Sequence, residues 1–167
     1  MKFSRVWFLL GFLVLSLTPC FAHHMAVVVN KDSNVEALSS AHLARIFQLE
    51  DKKWRDGKDV VIVLHHDSAG EKITLQRLTR MSGSQLESFI AAHRESVTAV
   101  DSDADVIKAV ETLPGAVGLL DVRSITDHVK VVKVDGKLPM ENGYRIESVY
   151  SGCLPNLSND TVIPGIT

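Results

Sequence analysis

The densest run of chemistry-bearing residues is His65-His66-Asp67-Ser68-Ala69-Gly70-Glu71, two imidazoles, two carboxylates and a hydroxyl in seven positions. A small oxyanion would find donors there: the Ser68 hydroxyl, the His65 and His66 N–H groups, and the free amides of a helix that starts at this point. Ser68 beside His65 and Asp67 also has the residue types of a nucleophile set. Triads, however, are assembled in space rather than along the chain. No Gly-x-Ser-x-Gly elbow or paired-carboxylate pattern is present, so the chain reads as not an enzyme. The plain alternative is structural: Ser68 caps the helix and Glu71 reaches back, as in a Ser-x-x-Glu capping box.

Seven histidines also raise metal binding. If a leader is removed before His23, its α-amine and imidazole could together chelate Cu(II), with His24 as neighbour and His65-His66 as further nitrogens. The competing reading is a frayed terminus with solvated histidines. His-x-His and Cys-x-x-Cys spacings are absent, and no cofactor is expected. His93 reads as a core-edge histidine, and His42 and His128 as surface residues.

These side chains need a frame. Val60-Val61-Ile62-Val63-Leu64 is a continuous apolar, mostly β-branched run, the pattern of a parallel strand buried on both faces, and it leads directly into the loop. The following helix carries Ile73, Leu75, Leu78 and Met81 as its apolar positions. Before it, Met25 to Val29 reads as a first strand and Lys31 to Leu38 as a polar connection. Ser39 and Ser40 open a helix with Leu43, Ile46 and Phe47 on one face. Glu50 to Asp59 is charged and holds Trp54 and the turn pair Asp56-Gly57.

After it, Ser82-Gly83-Ser84 breaks the helix and starts another with Leu86, Phe89, Ile90 and His93 on one side. Val97 to Val100 is too short to assign. Ser102 caps a helix with Asp105 at its third position and Val106, Ile107, Val110 and Leu113 on the buried face. Pro114-Gly115 stops it, and Ala116 to Leu120 is a second buried strand. Val129 to Val134 reads as one near-edge strand closed by Asp135-Gly136, and Tyr144 to Tyr150 as a last one. Strands alternating with helices predict an α/β fold with a mostly parallel sheet.

Lys2 and Arg5, the apolar run Val6 to Leu17, and small residues before a cut after Ala22 predict a cleaved signal peptide over residues 1–22 and a periplasmic protein. An α/β domain over residues 23–150 and a tail over 151–167 follow. Two of the 18 basic residues and none of the 20 acidic ones lie in the leader, so 16 basic face 20 acidic residues beyond it, net −4. That balance argues against nucleic acid as partner. Only Cys153 survives cleavage and cannot form an internal disulfide.

Taken together, Val27-Val28-Val29-Asn30, Leu38 to Phe47, Trp54-Arg55-Asp56-Gly57-Lys58, the Val60–Leu64 strand and Pro114-Gly115-Ala116-Val117-Gly118 resemble the phosphate-binding-protein-like branch of the type 2 periplasmic binding proteins. The resemblance runs from about Val27 to Tyr150 and implies a single three-layer lobe, similar to the second lobe of that family standing alone. It further implies a solute-binding role for a small oxyanion such as phosphate in ABC-type transport or sensing. The alternative is a non-catalytic module that has lost its ligand and docks on a membrane sensor or transporter. The family's anion loop, laid over this chain, falls on His65, Ser68, Ala69, Gly70 and Glu71. An arginine becomes His65, and Glu71 would repel an oxyanion; Ser68, Gly70 and the helix start keep the expected chemistry. The candidate ligand residues are thus His65, His66, Ser68, Gly70 and Glu71.

Overall fold

The computed structural model describes residues 23–144 and 146–148. The elements are β1 (His23–Asn30), β2 (Ala37–Leu38), α1 (Ser40–Phe47), β3 (Val61–His65), α2 (Ala69–Thr79), α3 (Gly83–Ala92), β4 (Val97–Val100), α4 (Asp103–Thr112), β5 (Ala116–Asp121), β6 (Val129–Val131), β7 (Lys133–Val134) and β8 (Glu147–Ser148). A short 3-10 turn, Val122–Ser124, follows β5. The segment over residues 1–22 expected to be a signal peptide, with Cys20, and the tail from residue 149, with Cys153, lie outside the described residues.

The main sheet has the order β4-β3-β5-β1-β6, with β8 also paired to β1. β3 runs parallel to both β4 and β5, as its unbroken apolar run requires. β1 runs antiparallel to β5, β6 and β8, so it is the one reversed strand in an otherwise co-directional sheet. Alternate residues of each strand feed two cores. Met25, Val27, Val29, Ile62, Leu64 and Leu119 pack against α1, α2 and α3 through Leu43, Ile46, Leu75 and Leu86. Ala26, Val28, Val63 and Leu120 pack against Val106 and Val110 of α4. This is the expected three-layer α/β lobe.

Gly118 lies where α4 crosses the sheet; a Cβ there would meet Val63 O at 3.1 Å and Val106 Cγ1 at 3.2 Å. Gly115 ends the α4–β5 turn with φ +78°, and a Cβ would come within 2.1 Å of the Asp59 carbonyl oxygen. Only glycine fits. The Gly115 carbonyl accepts from the Trp54 indole N–H at 2.8 Å, which satisfies the one polar atom of a ring only 8 % exposed. The Trp-x-Asp-Gly turn is thereby tied to the strand that follows α4.

Several sequence expectations are corrected. The Val129–Val134 run is two strands: Val132 N–H donates to Val27 O, and Lys133 N–H then donates to Glu36 O, so the chain leaves β1. β7 pairs in parallel with β2, a strand hidden in the polar connection because it is two residues long. In α2 the buried face is Glu71, Thr74, Leu75 and Thr79, while Ile73 and Leu78 are half-buried. The threonines are accommodated because Thr74 Oγ1 donates to Gly70 O and Thr79 Oγ1 to Leu75 O, so neither hydroxyl is orphaned. β1 begins at His23, whose backbone pairs with Ser148, and His24 pairs with Glu147; this stretch is strand, not frayed chain. Val97–Val100 is an edge strand.

Candidate functional site

The carboxyl ends of β3 and β4 lie side by side, with His65 opposite Val100, so the loops into α2 and α4 begin next to each other. This placement builds the site. Ser68 is the N-cap of α2, in extended conformation, and its Oγ accepts from Glu71 N–H at 3.2 Å. Ser68 N–H donates to His65 O. The first-turn amides of Ala69 and Gly70 have no intrahelical carbonyl to bond.

The expected capping box is only half formed. The Glu71 carboxylate turns into the lobe instead of back to Ser68, and its Oε2 accepts from His65 N–H at 2.9 Å. Ser68 N–H is already bound to His65 O, so the donor left within reach of Glu71 is the one at the end of β3. Glu71 is 1 % exposed. Its Oε1 has no hydrogen-bond partner among the described residues. Burial raises its pKa well above the usual carboxylate value, the His65 amide opposes that, and the Asp103 charge adds to it.

The His65 ring meets the start of α4. Its Nδ1 lies 3.0 Å from Asp103 Oδ1, at the first position of α4, and Asp103 Oδ2 accepts from the Ser124 hydroxyl. The His66 side chain is 67 % exposed and Asp67 78 % exposed. Gly70 is buried in the first turn of α2. The structure therefore brings His65, Ser68, Gly70 and Glu71 together around one backbone turn and leaves His66 outside it. It also removes the nucleophile geometry: Ser68 Oγ serves the cap, and His65 pairs with Asp103, not Asp67.

Asp103 and Ser124 were not foreseen as partners of His65. The signal was in the topology, because two parallel neighbours place the helices that follow them with adjacent N-termini. Among the described residues no three His, Cys, Asp or Glu side chains are grouped to hold a metal ion. His93 does what was expected of it, its Nδ1 lying 2.8 Å from Phe89 O and its ring 4.4 Å from that of Phe89. His42 and His128 pair with Asp51 and Glu111 at the surface.

Comparison with known proteins places this lobe. A model of the PBP superfamily domain matches residues 17–156. The chain belongs to the PBP superfamily. Among solved structures, a phosphate ABC-transporter substrate-binding protein with bound phosphate from Clostridium perfringens is similar with a TM-score of 0.63 and 19% identity, covering 77% of this chain and 54% of that one. An ABC-type phosphate transport receptor from Vibrio cholerae gives 0.57 and 18%, covering 75% and 54%. A human phosphate-binding apolipoprotein gives 0.56 and 17%, covering 78% and 42%. At these identities the likeness is one of fold. This superfamily member spans about half the length of those proteins, as one lobe of a PBP fold. None of its described helices is long and apolar enough to cross a membrane.

Proposed function

We propose that this chain is a periplasmic, one-lobe solute-binding protein, exported by its first 22 residues, that binds a small oxyanion of the phosphate type in ABC-type transport or sensing. The observation that carries this reading is the start of α2. The amides of Ala69 and Gly70 are left without helical carbonyls at the carboxyl end of a parallel strand, beside a half-buried Ser68. The solved structures it resembles are named for phosphate binding, which supports the same ligand class.

One lobe covers a ligand from one side, so the interaction is weak until a membrane transporter or sensor closes over it. Glu71 sets its pH dependence. Ionised Glu71 repels an oxyanion and neutral Glu71 does not, so affinity rises as pH falls through the raised Glu71 pKa. The test is thermal unfolding of the mature chain with phosphate and with sulfate, the latter titrated across pH because its own charge stays constant. Binding at a hundredfold excess over Kd adds about 2.7 kcal/mol to the stability of the folded state. A rise in midpoint that disappears in Ser68→Ala supports the reading. No rise with any oxyanion at any pH ends it and leaves the docking module as the role to pursue.

A further inference from the structure

One side of the sheet ends at β4, which pairs only with β3 among the described residues. In that parallel ladder Ile62 N–H donates to Ser96 O at 3.1 Å and His66 N–H to Val100 O at 2.8 Å. Ser96, Thr98 and Val100 thus turn their backbone groups toward β3, and Val97 and Ala99 turn theirs outward. His93 O takes the Val97 N–H at 3.0 Å. The Val97 carbonyl and both backbone groups of Ala99 are left without a partner among the described residues, and Ala99 is exposed. Natural edges are commonly closed by a charge or a proline. β4 reads Val-Thr-Ala-Val and has neither, whereas β6 at the other edge carries Lys130.

Along one face of this edge runs a groove of about 500 Å³, with Leu86, Ile90 and Ala91 of α3 opposite Val97 and Ala99. His65, His66 and Glu71 also line it, so it opens onto the loop described above. Lys72 and Glu87 pair with each other at 3.8 Å. The exposed charges at the two ends of β4 are opposite in sign: Arg94 precedes the strand and Asp101 follows it. We propose that β4 accepts an extended peptide as an added antiparallel strand, with two apolar side chains in the groove, a basic side chain at Asp101 and a free C-terminal carboxylate at Arg94. The peptide residue opposite Ala99 exchanges two backbone hydrogen bonds with it, and the residue opposite Val97 donates to the Val97 carbonyl. Opposite residues project to one face, so both of these side chains enter the groove on the side of Val97 and Ala99. Charge sets the direction: an antiparallel chain runs from Asp101 to Arg94 and brings its carboxylate to the guanidinium, and a parallel one brings it to Asp101.

The test uses the mature chain and the probe acetyl-Lys-Thr-Leu-Thr-Leu-Thr with a free carboxylate. Two further probes are the same peptide with a C-terminal carboxamide, and with an N-methyl group on the first leucine, the residue opposite Ala99. Calorimetric titration is combined with hydrogen exchange of the Ala99 amide. The parent peptide is expected to bind and to slow that exchange by roughly tenfold or more, and N-methylation to weaken binding by a similar factor. The carboxamide should bind about two- to fivefold more weakly, the range of an exposed ion pair. Arg94→Gln should abolish that difference and leave carboxamide binding unchanged, which also shows that the variant is folded. Binding indifferent to N-methylation, a carboxamide as tight as the carboxylate, or an unchanged Ala99 amide overturns the proposal. So does a dimer by sedimentation whose Ala99 amide is protected without peptide, since the edge then belongs to a second copy of the chain. Sulfate binding and its loss in Ser68→Ala are read independently, so the oxyanion reading and this one can fail separately.

Discussion

Two strand-to-helix joints of this lobe carry the same pattern and use it differently. At β3–α2 the residues are Ser68-x-x-Glu71; at β4–α4 they are Ser102-x-x-Asp105. Both serines accept from the backbone N–H three residues on, each at 3.2 Å. The acids part company. Asp105 is exposed, and its Oδ2 accepts from the Ser102 hydroxyl at 2.6 Å. Glu71 is buried, bonds the His65 amide and leaves one oxygen without a partner among the described residues. The serine sets the backbone cap in both joints, but the acid goes where a donor lies within reach. β3 is an interior strand whose last amide lies within reach of α2, whereas β4 is an edge strand and Asp105 bonds its own cap. An N-terminal acid is thus helix electrostatics in one joint and a buried acceptor for a strand amide in the other.

The strongest way to break this contrast is through the residue that links the joints. Asp103 begins α4 yet holds the His65 ring and the Ser124 hydroxyl, both belonging to other elements. Asp103→Ala should cost about 2–3 kcal/mol, the range of a charge-assisted bond with a further partner left open. Urea denaturation above pH 5 measures it. A loss no larger than that of an isolated cap would mean the joints are energetically independent.

Glu71→Gln comes next and acts in the opposite direction. The folded pKa of Glu71 lies above its unfolded value, so as pH rises the unfolded chain releases the proton first and stability falls until the folded pKa is passed. Glutamine keeps an oxygen for the His65 amide and carries no charge. Above the folded pKa the variant should therefore be more stable by about 1–2 kcal/mol, and the downward slope beginning near the ordinary carboxylate range should flatten. Denaturation midpoints of both proteins, followed from acid to slightly alkaline pH, decide it. Parallel pH curves would place the slope on another group.

How much of this was legible beforehand differs between fold and site. The α/β class, the parallel β3 and the Ser102 helix follow from periodicity and capping residues, because those are local properties of the chain. The buried face of α2 was misread because two threonines satisfy their hydroxyls on their own helix and so enter the core. The β6–β7 split was hidden because it depends on which distant strand each residue meets. At the site, Ser68 as cap was visible in four residues. The inward turn of Glu71 and the Asp103–His65 pair were not, since both arise from the parallel register that sets His65 opposite Val100.

Below these effects stand the caps themselves. Ser68→Ala and Ser102→Ala each remove one hydroxyl acceptor for a first-turn amide, and each should cost about 1 kcal/mol. Near-equal losses by chemical denaturation are expected, because both serines are extended and each accepts from the same first-turn amide at 3.2 Å. A much larger loss for Ser68 would show that its hydroxyl supports the buried Glu71 as well as the helix.

The smallest effect is expected from Asp105→Asn. The side chain is exposed and bonds its own cap, so the substitution removes one favourable charge from the start of α4 while leaving an oxygen to accept from Ser102. First-turn charges at exposed positions contribute about 0.3–1 kcal/mol, less as salt rises. The variant should therefore lose a few tenths of a kcal/mol at low ionic strength and nearly nothing at high salt. A loss above about 1 kcal/mol that persists in high salt would exceed what a solvated helix-start charge supplies. It would mean that Asp105, like Glu71, is held by something inside the lobe, and the two joints would then be variants of one design.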